Sequence, residues 1–342
     1  MSDTRIDIRV RPYVDDDELE VLELLAASLG GGPAGERPAE FFRWKHVDNP
    51  FGRSFMLVAE DKGRIVGLRA FMRWRFAGEA RPIEAVRAVD TATHPDYQGR
   101  GIFSRLTREA LELMQGKVDL VFNTPNDKSL PGYLKMGWTV VGTVPISLRV
   151  RRPIRFARGV RSVREDPEGR IAIADGGAPS AGDVLGDRLG LSAILESAEV
   201  AKGRLSTARG QGFLEWRYAR APLLGYRALV HREADEPTGI VIFRVRPRGS
   251  LTEATISDLI VARGDGSAAR SLLRRVVRSA RVDHLTARFV PGSTAARAAA
   301  ATGFIRSRRG MVLVVNPLSS DIDPDPMRLS SWGVTLGDLE VF

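Results

Sequence analysis

The second half of this 342-residue chain repeats the first, and that repetition limits the fold more tightly than composition does. Phe41-Phe42-Arg43-Trp44-Lys45 matches Phe213-Leu214-Glu215-Trp216-Arg217. The same offset pairs Pro50 with Pro222, Leu57-Val58 with Leu229-Val230, Gly67 with Gly239 and Phe71 with Phe243. With small gaps, Asp90 aligns with Asp258 and Gly137-Trp138 with Gly303-Phe304. Spaced matches holding one register point to tandem copies of one folding unit. At roughly 150 residues per domain, the length accommodates two such units, each with its own core.

Strand and helix signals alternate through the first copy. Arg5–Arg11 alternates with period two, as a half-buried strand does. Asp15 with Glu18 predicts a capping box opening a helix through Leu19, Leu22 and Leu25. Leu29–Pro38 reads as a Gly/Pro loop, and Phe41–His46 as a short helix. Strands are expected at Phe55–Glu60, Arg64–Phe76, Ile83–Thr93, Val118–Asn123 and Trp138–Val150, with helices near Gly101–Gln115 and Lys128–Met136. Basic Arg151–Arg164 runs into a Gly/Ala/Pro-rich segment, Asp166–Asp187, which reads as the inter-domain connection. The expected organisation is a first domain 1–150, a linker and entry 151–200, a second domain 201–318 and a docking tail 319–342. Each domain is expected to be α/β (α+β), a mixed twisted sheet flanked by helices.

Cysteine is absent, which excludes disulfides, thiol nucleophiles and thiolate-bound metals. The four histidines have no ligand-like spacing, so no metal is expected. The N-terminus lacks the apolar core of a signal peptide, and no apolar run nears the roughly 18 residues of a membrane span. A cytoplasmic protein without membrane partners is the expectation. The net charge of +9 permits phosphate-bearing partners without choosing among them.

His94-Pro95-Asp96-Tyr97-Gln98-Gly99-Arg100-Gly101-Ile102 lies between a β-rich run and an apolar-periodic helix. Such a junction presents backbone N–H groups and the positive helix end to an anion, and glycines permit close approach. A lone Gly-x-Gly is more often a plain turn. Downstream, however, Asn126, Tyr133, Gly137 and Trp138 follow in a fixed spacing. Together these residues resemble the GNAT superfamily of acyl-CoA-dependent N-acyltransferases, with its Gln/Arg-x-x-Gly-x-Gly/Ala loop and its later Asn…Tyr-x-x-x-Gly-Phe signature. The resemblance covers about Val86–Gly142. It departs at Phe103, where the family prefers Gly or Ala.

The resemblance implies two tandem GNAT-like domains and an acetyl-CoA donor. Thr91, Ala92 and Thr93 would pair with the pantetheine amides. Gly99, Arg100, Gly101, Ile102, Phe103 and Ser104 would wrap the pyrophosphate, with Gln98 bracing the loop. Asn126 would bond the donor near its thioester, and Tyr133 would be the general acid; a phenol is matched in acidity to an alkyl thiol. Read alone, Tyr133 is more often a helix residue packing into the core; the surrounding motif reverses that reading. Candidates for the base that accepts the amine's proton are Asp90, Glu84, His94 or water. The chain also resembles in part the tandem enhanced-intracellular-survival type acetyltransferases, and the carboxylate of Phe342 is a further base candidate on that ground. The loop Gly30–Pro38, the helix Phe41–Asn49 and the tail Trp332–Phe342 are expected to line the acceptor pocket.

The second copy carries Ala262-Arg263-Gly264-Asp265-Gly266-Ser267 opposite the loop, and Gly292 and Ala299 opposite Asn126 and Tyr133. An acid in place of phosphate and an alanine in place of a proton donor predict a degenerate, scaffolding copy. The leading expectation is acetyl transfer to a primary amine of a small molecule. A Fem-type aminoacyltransferase, recruiting Arg151–Arg164 for tRNA, and a non-catalytic acyl-CoA-binding protein are the alternatives. No nucleic-acid-reading motif is present, so nucleic acid is not an expected partner. The acceptor's identity and homo-oligomerisation are left open.

Overall fold

A computed structural model describes residues 8–29, 38–78, 80–165, 177–199 and 201–340. The chain divides into two compact α/β units, and neither is a single stretch of sequence.

The first unit comprises residues 1–75, 83–140 and 313–322. Its elements are β1 (Arg9–Pro12), α1 (Glu18–Leu29), α2 (Ala39–His46), β2 (Phe55–Asp61), β3 (Arg64–Ala77), β4 (Ile83–Thr93), α3 (Ile102–Met114), β5 (Leu120–Asn123) and α4 (Leu130–Lys135). β1, β2 and β3 run antiparallel, β4 pairs with β5 in parallel, and Val314–Pro317 pair antiparallel with β5. Val21, Leu24 and Leu25 of α1 pack with Phe42 of α2 on Met56, Val58 and Leu68 of the sheet. The entry to α1 differs from expectation. Asp15–Asp17 form a 3₁₀ turn, and Asp17 rather than Glu18 reaches back, accepting from the Val14 N–H at 2.9 Å. The tighter turn carries the carboxylate one residue earlier.

The second unit comprises residues 76–82, 141–312 and 323–342. It contains β6 (Thr139–Val150), α5 (Pro153–Glu165), α6 (Ala181–Leu185), α7 (Arg188–Ser197), β7 (Ser206–Thr207) and α8 (Gln211–Leu214), which continues as a π turn over Glu215–Ala219. Then follow β8 (Arg227–Glu233), β9 (Glu236–Arg248), β10 (Leu251–Val261), α9 (Gly266–Ser279), β11 (His284–Ala287), α10 (Thr294–Ala301), the first part of β12 (Ile305–Pro317) and α11 (Leu336–Leu339). β6 falls inside the expected domain 1–150, yet it pairs with β11, and the end of β12 pairs with β5. The basic stretch Arg151–Arg164 is helical for most of its length as α5. Gly159 allows that helix close to Leu251, whose Cδ2 would lie 2.5 Å from an added Cβ.

The registers repeat. Leu57↔Arg69, Val58↔Leu68 and Ala59↔Gly67 in β2–β3 become Leu229↔Val241, Val230↔Ile240 and His231↔Gly239 in β8–β9. Ala85↔Leu120 in β4–β5 becomes Glu253↔His284 in β10–β11, with the same parallel sense. A buried contact repeats as well. His46 Nε2 lies 2.8 Å from Asp90 Oδ2, and the Tyr218 hydroxyl donates to Asp258 Oδ2.

The C-terminal segment is docked within the second unit. Arg217 Nη2 donates to the Glu340 carbonyl at 2.6 Å, and Arg209 pairs with Asp338 at 2.7 Å. A second buried cluster sets an acid dependence. Burial opposes the charge on Glu253, but His284 at 3.0 Å and Arg246 at 2.8 Å hold its pKa well below the usual carboxylate value. Stability from this pairing is therefore present above the unfolded value of 4.5 and lost as pH falls below it. Glu253→Gln should flatten the decline of melting temperature between about pH 6 and pH 3; an unchanged acid limb would contradict this assignment.

Candidate active site

The Gly99–Gly101 turn joins β4 to α3 within the first unit. Gly99 and Gly101 have φ of +75° and +78°, a region that side chains other than glycine's rarely occupy. Gly101 is the N-cap of α3, and the Arg105 N–H returns to the Gly101 carbonyl at 3.0 Å. The N–H groups of Ile102, Phe103 and Ser104 thus belong to the turn that has no intrahelical acceptors. Gln98 Nε2 donates to the Thr93 carbonyl at 3.4 Å, tying the loop to its strand. The Arg100 guanidinium lies 5.1 Å from the Tyr97 ring centre.

Gly67 brings α3 onto the sheet. A Cβ there would sit 2.8 Å from Ile102 Cγ2 and 3.1 Å from the Ala59 Cβ. Gly67→Ala should therefore cost about 1–3 kcal/mol of stability by overpacking and push the helix start outward. Chemical denaturation reads the first effect, and an outward-shifted α3 N-terminus in a crystal structure of the variant reads the second.

β4 and β5 are registered only from Ala85↔Leu120 to Arg87↔Phe122, while β4 continues to Thr93. Thr91, Ala92 and Thr93 lie beyond that ladder. Across from them, Tyr133 of α4 is 6% exposed, its ring edge-on to Phe103 at 5.9 Å and to Trp138 at 5.2 Å. Its hydroxyl accepts from Arg69 Nη1 at 3.1 Å, and the same nitrogen donates to Thr91 Oγ1. Asn126 Oδ1 accepts from the Ser129 N–H at 2.9 Å and its hydroxyl at 3.0 Å, so this amide oxygen fixes the start of α4.

Residues 9–141 match the family described as acetyltransferase (GNAT) domain. This stretch is a GNAT acetyltransferase domain. The family comprises acyltransferases whose domains use acetyl-CoA as a substrate. Solved structures share the fold over most of the chain. A GCN5-related N-acetyltransferase from Anabaena variabilis is 12% identical with a TM-score of 0.62, over 92% of this chain and 73% of that one. One from Kribbella flavida is 18% identical with a TM-score of 0.56, over 93% and 72%. Eis1 from Mycobacterium abscessus is 19% identical with a TM-score of 0.53, over 91% and 74%. A comparison with curated proteins finds no match.

The GNAT domain treats the base candidates unequally. Asp90, at φ +39°, has Oδ2 2.8 Å from both Lys45 Nζ and His46 Nε2, all three side chains buried. This is an ion-paired position, not that of a free base. Glu84 lies about 23 Å of extended strand before Thr91, and it pairs with Arg75 at 2.6 Å. His94 Nδ1 lies 3.3 Å from the Asp96 N–H and Nε2 2.9 Å from Arg64, so the ring caps the turn. Phe342 and residues 30–37 of the expected acceptor loop lie outside the described residues. In α2, Phe41, Phe42, Trp44, Lys45 and His46 are buried and supply core rather than pocket wall.

Arg69 is absent from the sequence-based site. It is fully buried, and its Nε and Nη2 have no hydrogen-bond partner among the described residues. Its guanidinium lies 4.4 Å from the Phe71 ring centre and 5.3 Å from those of Phe103 and Tyr133. The signal was an arginine on the same strand face as Gly67, the face that α3 covers. Phe103, the departure from the family pattern, closes this aromatic box, and Gly132 makes room for it: a Cβ there would lie 3.3 Å from Phe103 Cε1.

Proposed function

We propose that the chain moves an acetyl group from acetyl-CoA to a primary amine of a small molecule, by direct attack in a ternary complex, with the chemistry in the first unit. One observation carries this reading. The Tyr133 oxygen is already an acceptor from Arg69, so the phenol hydrogen is left for a departing group beside the end of β4. The donor supplies an activated thioester. Gly99–Ser104 would hold its pyrophosphate with backbone N–H groups, and Thr91–Thr93 would pair with its pantetheine arm.

In this scheme the amine nitrogen bonds to the thioester carbon, the C–S bond breaks, and Tyr133 gives its proton to the leaving thiolate. Arg69 stabilises the phenolate left behind. The amine's own proton goes to water, since Asp90 is already committed. We read the second unit as a duplicate that has become a scaffold. The repeated registers support duplication, and Asp265, whose Oδ1 caps α9 by accepting from the Ala268 N–H at 2.9 Å, stands where phosphate would approach. A cytoplasmic location fits this chemistry. Among the described residues no helix is long and apolar enough to cross a membrane.

A Fem-type transfer to which Arg151–Arg164 brings tRNA is less well supported, because Arg152 and Arg155 of that stretch already face Asp283 at 3.5 and 3.4 Å. Thiol release from acetyl-CoA across a panel of amines tests the proposal. Amine-dependent release supports it, and coenzyme binding without release under any amine would leave only a binder.

A further inference from the structure

The second unit contains a cavity of about 240 Å³ between β6, the end of β11, α10 and the start of β12. Ala299, at the position aligned with Tyr133 of the first copy, lines it. α10 reads Thr-Ala-Ala-Arg-Ala-Ala-Ala-Ala, and such small side chains leave the space between helix and strands unfilled. Phe289 and Phe304, edge-on at 5.6 Å, form an apolar wall.

Among the described residues, two arginines and no acid line this cavity. Arg288 is 5% exposed. One of its terminal nitrogens donates to the Phe289 carbonyl, while its Nε has no partner among the described residues. Burial, followed by repulsion from Arg306 and Arg204, pushes this guanidinium down to about 10, which still leaves it cationic at neutral pH. Holding a cation in an apolar pocket with other cations nearby is costly, and a bound anion removes that cost.

We propose that this cavity is a binding site for a small organic carboxylate with a flat apolar body. The carboxylate would meet Arg288 and Arg306, and the body would lie against Phe289, Phe304 and the alanines of α10. A guanidinium fork matches a carboxylate in geometry as well as charge. The volume, below the usual range for drug-sized ligands, suits a molecule of about ten non-hydrogen atoms. The second copy thus exchanges a proton donor for an anion pocket. This inference does not depend on acyl transfer in the first unit.

Calorimetric titration of the full chain with phenylacetate tests it, with phenylacetamide and inorganic phosphate as controls. Phenylacetate should bind, and phenylacetamide should bind at least about tenfold more weakly. Arg288→Gln should weaken phenylacetate about tenfold or more, and exposed Arg306→Gln about threefold. Ala300→Leu, which fills the cavity from an exposed helix position, should abolish binding and keeps the test decisive if the Arg288 variant does not fold. Absence of phenylacetate binding, or binding indifferent to Arg306→Gln and Ala300→Leu, would overturn the proposal. So would phosphate binding as tightly as phenylacetate, since the apolar wall would then contribute nothing.

Discussion

Tyr133→Phe should lower amine-dependent thiol release by about 10²–10⁴-fold, the range expected for losing a positioned general acid. The ring remains, so its edge-on contacts with Phe103 and Trp138 persist and the fold should survive. Coenzyme A affinity should change by no more than about twofold, because the pyrophosphate turn is untouched. The loss should therefore appear in kcat and not in KM. Amines that make better nucleophiles should not restore the rate, since the missing proton belongs to the leaving group. Unchanged turnover would return Tyr133 to the role of a core residue.

Arg69→Met should separate activity from stability. Methionine fills much of the arginine's volume but cannot donate to the Tyr133 oxygen or stabilise a phenolate there, and kcat should fall by about 10²-fold. Stability should hold or rise. The arginine loses about 2 kcal/mol or less for each aromatic contact removed, while a buried cation without a counter-ion carries a desolvation penalty of several kcal/mol. Arg69→Lys should be intermediate in rate, since an ammonium can donate to Thr91 and Tyr133 from one nitrogen but lacks the planar, aromatic-stacked group that fixes that nitrogen in place. A fall in melting temperature with turnover preserved would mean that Arg69 holds the fold and not the reaction.

Local chemistry made much of this molecule readable. Trp44 and Trp216, Gly67 and Gly239 kept one offset because each pair does the same packing job, and the β2–β3 register reappears in β8–β9. The glycine turn was legible because positive φ at Gly99 and Gly101 leaves few alternatives. What escaped was set by partners distant in sequence. β6 and the end of β12 look like closing strands of their own copies, and nothing within them states that they pair with β11 and β5. Arg151–Arg164 reads as a charged connector until Gly159 meets Leu251. Arg69 looked like one strand arginine among several, because its meaning depends on Tyr133 arriving from 64 residues away. Asp90, read as a base candidate, is claimed by Lys45 and His46 from a helix that the sequence assigned to the acceptor pocket.

The most direct measurement is a crystal structure of the full chain with coenzyme A. The pyrophosphate should lie on the Gly99–Ser104 amides, with the thiol within hydrogen-bonding reach of the Tyr133 hydroxyl. Coenzyme seated instead against Gly264–Ser267 of the second unit, or a thiol remote from residue 133, would contradict it.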